Sequence, residues 1–580
     1  MRKLSATFTL LLSIIIHSSG QSSSHRLTPA EQNAMPDYLK HAVSPSLNGI
    51  TTPPSSTVRA SAEWEEIDAL VVVWTSYTTI VRQIIEAART ETRVIVVCSD
   101  SNVVKNNLIL NAVPLSNISY LVTGFNSIWC RDYGPWNVYT QDVDSLFLID
   151  WIYNRPRPKD DTLPASIARA ENLPMYQTTV SPYDLIHTGG NFMCDGMGTG
   201  FSSNLILNEN PTKTAPQIDS IMSSFMGINR YIKMNTLPYD QIHHIDMHMK
   251  LLDEETLLIG QYPTGVADGP QIETNLAYIQ NNFLDCYGRP YKIIRIPQPD
   301  DNGQYPDGSG RYLTYTNAII LNHTVIYPHY QISADAVADS IWHIAMPGYR
   351  LWPINCGTGS DNIIVQSGAI HCITHEIGVS DPILISHAHL LDTYNTTTPY
   401  NVVARIETRS GVSSAKMFWS IDTTVGYTMV SMTAMSNDSF SANIPAQIAG
   451  TKIFYYIEAS SNSGRTNRRP MVAPEGVFQF TILGAGAAQN FTAQLPQLFN
   501  PYPNPANENT VIGFNLSKEE NCVLAIYDLS GKQISLLLNE KMSSGTHQFE
   551  LSLDGISAGT YMLKLKEGNY SATKKLVVIK

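Results

Sequence analysis

Near residue 383 the chain changes texture, and that change constrains its fold more than any other feature. Before it, apolar β-rich runs (Arg93–Val97, Ser145–Ile149, Thr256–Ile259) alternate with stretches whose apolar residues recur at helical spacing (Ile80–Ala88, Ser333–Ile344). The spacing predicts an α/β unit over residues 44–382, with more strands than one simple sheet holds. After it, strands such as Lys452–Ile457 are separated by Ser, Asn and Gly turns, the pattern of a β-sandwich over residues 383–485. Gly484 to Ala488 reads as a linker, and a second β-rich unit fills residues 494–580. A length of 580 residues suits several such domains, and 43% apolar with 15% charged residues suits folded ones.

The first 20 residues read as an export signal. Arg2 and Lys3 precede an apolar run, Leu10 to Ile16, and Ser18-Ser19-Gly20 offers a small-residue cleavage site. The run is too short to span a bilayer, and no other segment has transmembrane character. Residues 21–43 are polar and aperiodic, as expected of a pro-segment or flexible lead. The signal holds two basic and no acidic groups, so removing it takes the formal charge from -12 to -14. Nucleic acid rewards clustered Lys and Arg, so an acidic chain is a poor partner for it. Seven widely spaced cysteines include no Cys-x-x-Cys pair, which argues against a zinc cluster. Their odd number leaves at least one thiol free in an exported chain.

Cys372, in Ala369-Ile370-His371-Cys372-Ile373-Thr374, is the candidate nucleophile. Two remote motifs supply what a thiol needs to attack a cationic, resonance-stabilised guanidinium: carboxylates to hold the cation and a histidine to carry protons. Asp132 lies in Trp129-Cys130-Arg131-Asp132-Tyr133-Gly134, where aromatic walls led by Trp129 suit a flat cation. A surface turn built on Arg131 and Asp132 is the other reading. His244 and Asp246 stand two apart, so on a strand they share a face. His248 would join them as a metal site, although no further ligand pattern completes it. On an extended chain His371 points away from Cys372, which leaves His244 as the better partner. Cys130 reads as a small buried hydrophobe and Cys356 as structural.

Together these motifs resemble the guanidino-group-modifying superfamily, in its agmatine deiminase-like branch. Tyr153-Asn154-Arg155-Pro156-Arg157-Pro158-Lys159-Asp160-Asp161 is similar to the Porphyromonas-type peptidylarginine deiminases. The last unit resembles the C-terminal sorting domain of the type IX secretion pathway. That likeness rests on Asn500-Pro501-Tyr502-Pro503, Tyr527-Asp528-Leu529-Ser530-Gly531-Lys532, Gly559-Thr560-Tyr561 and a basic end. The resemblance implies a five-module α/β propeller followed by an Ig-like sandwich and a sorting sandwich. It implies Cys372 as nucleophile, His244 as general acid/base, Asp132 and Asp246 as guanidinium clamp, and Asn317 as an ordering residue. It also implies that Arg155 and Arg157 read a substrate carboxylate. An exposed basic turn balanced by Asp160 and Asp161 is the alternative for that pair.

The function so implied is a secreted peptidylarginine deiminase that prefers C-terminal arginine and works through a covalent thiouronium. The type IX machinery would be its export partner. No cofactor is required, which leaves room for a structural calcium near Asp195 or in the sandwich. The alternatives are a deiminase of agmatine or free arginine, and a non-catalytic surface adhesin. Gly189-Gly190-Asn191 stands where agmatine deiminases carry an acidic residue, which weakens the polyamine reading.

Overall fold

The computed structural model describes residues 24–42, 49–484, 496–501, 504–542, 544–568 and 570–579. The export signal, most of the expected linker and part of the Asn500–Pro503 motif lie outside them. Residues 58–378 repeat one small unit: an antiparallel strand pair, then a helical crossover to a third strand parallel to the second. Trp136–Thr140, Leu146–Tyr153 and Met175–Thr178 form one such set. Met193–Cys194, Thr199–Ser203 and Arg230–Met234 form the next. The third is Met249–Leu251, Thr256–Gln261 and Lys292–Pro297; the fourth is Ile319–Leu321, Thr324–His329 and Arg350–Asn355. The fifth joins the two ends of the unit. Its strand His375–Gly378 pairs antiparallel with Ile67–Val73, which continues in parallel to Arg93–Cys98 and Ile118–Val122.

The helix Ala215–Met226 shows how sequence writes each crossover. Thr214 and Gln217 form a reciprocal capping box, with Gln217 N donating to Thr214 Oγ1 and Thr214 N donating to Gln217 Oε1. Ile218, Ile221, Met222 and Phe225 make the buried stripe. Gly227 ends the helix at φ +69°, where a side chain is strained. The parallel strands Ile67–Val73 and Arg93–Cys98 are nearly continuous apolar runs because both their faces are covered.

Residues 384–481 form two antiparallel sheets. Their facing residues, including Val402, Met417, Ile444, Ile453 and Tyr455, make a separate core. The last unit is again two antiparallel sheets, centred on Asn509–Leu516 and on Glu520–Tyr527 beside Gly559–Glu567, around Ile512, Leu524, Leu563 and Leu576. It touches the α/β unit at the end of the helix Gly269–Asn282. Gln497 Nε2 donates to Gln280 O, and Lys574 Nζ donates to Asn282 Oδ1. No helix among the described residues is long and apolar enough to cross a membrane.

One expectation is corrected here. The lead after the export signal is not aperiodic throughout, since Pro29–Ala42 is a helix. Its pattern is weak because it lies on the surface and carries Pro36 internally.

Gly227 gives a direct test of the crossover geometry. A Cβ there would lie 1.9 Å from Val58 O, against fixed backbone. Gly227→Ala is expected to cost more than about 1 kcal/mol, seen as a lower unfolding midpoint of the α/β unit in thermal scans.

Candidate active site

In four of the five units a short turn enters the first antiparallel strand, and in each it delivers a candidate residue. The turn Cys130–Tyr133 carries Asp132 and follows Trp129. Gly189–Asn191 carries Gly190, Ile245–Met247 carries Asp246 just after His244, and His371–Ile373 carries Cys372. Asn317 holds the corresponding place in the remaining unit, two residues before Ile319–Leu321. All of these residues are buried. Cys372, His244, Asp132, Asp246, Asn317 and Trp129 each show 0% exposure.

Asn317 shapes the loop around the thiol. Its Oδ1 accepts from the backbone N–H of Ala369 at 3.1 Å and of His371 at 3.0 Å, and its Nδ2 donates to Cys372 Sγ at 3.2 Å. Cys372 Sγ lies 3.5 Å from Asp246 Oδ2. Burial, and then the Asp246 and Asp132 carboxylates, push the thiol well above the usual cysteine range; the Asn317 amide pulls the other way. Asp246 is fixed by His371, whose Nδ1 donates to Asp246 Oδ2 at 2.7 Å. On its far side His371 Nε2 donates to Glu63 Oε2 at 2.9 Å. Burial would raise Asp246, but the His371 hydrogen bond and charge hold it ionised below the usual range. Its second oxygen, Oδ1, is buried with no partner.

Asp132 faces the same space from the other side. Gly190 N donates to Asp132 Oδ1 at 3.3 Å, and His244 Nδ1 approaches that oxygen to 3.5 Å. The latter is a close approach and not a hydrogen bond, for neither His244 nitrogen has a hydrogen-bond partner. Burial would raise Asp132, yet the His244 and His25 rings bring it well below the usual range. Desolvation drops His244 to about 4, so at neutral pH the ring is uncharged. A Cβ on Gly190 would lie 2.4 Å from His244 Nδ1, so this close approach requires glycine. Two carboxylates, a neutral imidazole and a thiol thus meet in one buried place.

Several local expectations change. His244 and Asp246 do not share a strand face; they converge because Ile245–Met247 is a 3-10 turn. His371 and Cys372 also lie on a 3-10 turn, and His371 is engaged by Asp246 and Glu63. The Arg131–Asp132 pair is no surface turn. Arg131 is 1% exposed and grips Glu376 with both terminal nitrogens, at 2.7 and 3.2 Å. The exposed-turn reading of Arg155 and Arg157 is also overturned, at 5% and 2% exposure. Asp160 and Asp161 instead accept from the backbone N–H of Ser127 and Tyr153. His248 is buried beside Asp246 with both nitrogens unpartnered. All seven cysteines are free, and Cys130 and Cys356 are buried thiols held above the usual range by burial. Asp195, considered for calcium, accepts from the backbone N–H of Met197 and Thr199 through one oxygen.

Four residues at the site escaped the sequence reading: His25, Glu63, Lys250 and Glu376. Glu63 binds Lys250, His371 and the backbone N–H of Ile320. Lys250 and Glu376 showed only as charges inside apolar strand-like sequence, whereas Glu63 sits in an acidic stretch and His25 in a polar lead. Removing Glu376 would leave Arg131 buried and uncompensated, a change that costs about 3–5 kcal/mol. Glu376→Ala is therefore expected to lower the unfolding midpoint of the α/β unit far more than Glu376→Gln, measured by calorimetry.

Comparison with known proteins shows the family of the chain. Residues 500–580 match the secretion system C-terminal sorting domain, which marks the chain for type IX export to the cell surface or the medium. A protein of Shewanella sp. (strain W3-18-1) named as an agmatine deiminase is 25% identical over 298 residues, 46% of this chain and 77% of its own length. A solved structure titled as an agmatine deiminase superposes with TM-score 0.50 at 18% identity, covering 57% of this chain and all of the other. The agmatine deiminase of Enterococcus faecalis gives TM-score 0.49 at 19% identity, covering 57% and 99%. Residues 59–377, more than half of the chain, match the Porphyromonas-type peptidyl-arginine deiminases. The chain belongs to that family of guanidino-group deiminases, hydrolases of C–N bonds.

Proposed function

We propose that the protein is a secreted deiminase of peptide arginine, preferring a C-terminal arginine, with Cys372 as nucleophile. The observation that carries the substrate reading is the buried pair Arg155 and Arg157, of which Arg155 lies close enough to Asp132 to lower it, and whose hydrogen bonds go to the backbone carbonyls of His25, Asn154 and Ser24 and to Glu31. Two guanidinium forks at that place suit the free carboxylate of a terminal residue whose side chain reaches Asp132 and Asp246.

The chemistry follows from the protonation states. In this structure the thiol keeps its proton and His244 is neutral. A guanidinium lying between Asp132 and Asp246, stacked on Trp129, neutralises the carboxylates that hold the thiol up. The thiol proton then passes to His244, and the thiolate attacks the guanidinium carbon. His244 returns that proton to the departing nitrogen, ammonia leaves, and a cationic thiouronium remains on Cys372. His244 next takes a proton from water. The hydroxide adds, its proton passes to the sulfur as the C–S bond breaks, citrulline and the resting thiol form, and His244 loses its proton to solvent. Asn317 supports the step by donating to sulfur, an interaction strongest for the thiolate. No cofactor is needed in this scheme, because nucleophile, proton carrier and cation clamp all come from the chain.

We also read the five repeated units as blades of an α/β propeller, supported by the delivery of one site turn or strand-leading segment from each. The sheets over 384–481 we read as an Ig-like sandwich.

The deciding experiment offers the secreted protein three substrates: peptides ending in arginine, peptides with internal arginine, and agmatine, with ammonia and mass as readouts. The expected order is terminal, internal, agmatine; product from agmatine alone would overturn the substrate reading. Cys372→Ala should abolish turnover, and inactivity on every guanidine of the wild type freed of residues 24–42 would favour the adhesin alternative. Arg155→Ala should lower kcat/KM for terminal arginine roughly ten- to 150-fold (about 1.5–3 kcal/mol for a charge-assisted hydrogen bond) while sparing internal arginine. Gly190→Ala, which drives a Cβ into His244, should reduce kcat on every substrate by about 100-fold or more (~2.7 kcal/mol), with the unfolding midpoint little changed.

A further inference from the structure

The site described above is already occupied, by the chain's own N-terminal segment. The His25 imidazole lies flat on Trp129, with ring centroids 4.0 Å apart and planes 8° from parallel, and meets His244 edge-on at 5.4 Å. Its Nε2 donates to Asp132 Oδ2 at 2.7 Å and its Nδ1 donates to Ser367 O at 2.8 Å. Both nitrogens face acceptors, a carboxylate and a backbone carbonyl. A flat, nitrogen-bearing group stacked on an indole and hydrogen-bonded to a carboxylate is what a bound guanidinium also presents.

The main chain continues the likeness. His25 O accepts from Arg155 Nε at 3.3 Å, and Ser24 O accepts from Arg157. Thus the backbone around His25 fills the place assigned to the carboxylate of a terminal arginine. Arg26 secures the segment by forking onto Ser367 Oγ at 2.8 and 3.0 Å. Glu31 both caps the helix Pro29–Ala42, by accepting from Thr28 N at 2.9 Å, and pairs with Arg157 Nε at 2.8 Å. Gly368 lets the ring lie this close, since a Cβ there would meet Trp129 at 2.7 Å and His25 Nδ1 at 2.9 Å.

The ring stops short of the reacting groups. Asp246 Oδ1 has no partner, and both nitrogens of His244 are free. An imidazole also offers no exocyclic amine to expel as ammonia. His25 is therefore a ligand the site can hold and cannot turn over. It is also fully buried together with Cys372, His244, Asp132 and Asp246, so no substrate reaches the thiol while it stays.

We infer that the cleft is a docking surface for residues 24–42 of the same chain, which hold the enzyme inactive as a pseudosubstrate until they are released. The inference takes its substrate geometry from the reading under "Proposed function". Its test is arranged to separate the two. The exported chain is prepared with a specific protease sequence in place of residues 43–48 and studied before and after cutting. Two readouts are followed: ammonia from an arginine-ended peptide, and alkylation of Cys372 by a haloacetamidine, in which sulfur displaces halide.

Cutting is expected to raise both rates by 100-fold or more. His25→Ala with Arg26→Ala should raise them in the uncut chain, and a synthetic peptide of residues 21–42 should inhibit the cut enzyme competitively. Equal rates for cut and uncut chains in both readouts would overturn the inference. So would a cut chain, freed of its segment, whose Cys372 alkylates as slowly as before. Fast alkylation after cutting without ammonia from any guanidine would leave the pseudosubstrate standing and remove the proposed activity instead.

Discussion

The arrangement of the site depends on two buried ionic contacts set behind it, His371 between Asp246 and Glu63, and Arg131 against Glu376. Neither group in the second pair faces the reacting space. Together they fix the turn that carries Asp132 to the strand that follows Cys372, and fix Asp246 to the residue beside Cys372. Buried charges are expensive, and their mutual attraction offsets the cost only when geometry is good and the remaining donors are met. Lys250 on Glu63 and the backbone donor of Ile320 meet that condition here. The result is a carboxylate kept ionised without water, ready for a cation.

Around that frame, each unit adds one part. Cys372, Asp132, Asn317 and the neighbours His244 and Asp246 come from four different units and meet only because each unit opens its first strand with a segment directed to the same place. Gly190 shows how tightly they meet, since even a methyl would displace His244. Such a site cannot tolerate independent motion of its units, which explains why the charged contacts run between them rather than within them. Fusion of the fifth sheet from both ends of the chain, His375–Gly378 against Ile67–Val73, has the same effect on the whole unit.

The sequence disclosed the α/β-to-β transition, the major strands and helices, and Cys372, Asp132, His244 and Asp246, because periodicity and compact polar motifs are local signals. The shapes of those motifs were less accessible. An i, i+2 pair suggests a strand face, but Ile245–Met247 and His371–Ile373 are 3-10 turns, and tertiary packing brings their side chains together. Arg155 and Arg157 looked equally suited to a surface turn because burial of a charge has no local signature. Glu63, Lys250 and Glu376 were missed for the same reason, their partners lying far away in the chain. His25 was hidden differently: a short polar lead looks the same whether it waves in solvent or fills a cleft.

All seven cysteines are unpaired, and six of them are buried. For an exported protein that is an exposed position chemically, because the compartments beyond the inner membrane favour disulfides and oxidised sulfur. A nucleophilic thiol crossing them competes with every oxidant it meets, at a rate set by its access and its thiolate fraction. Covering Cys372 with His25 and keeping it protonated between two carboxylates lowers both factors at once. On the docking proposed for residues 24–42, the same contacts would keep the sulfur reduced while the chain crosses the envelope.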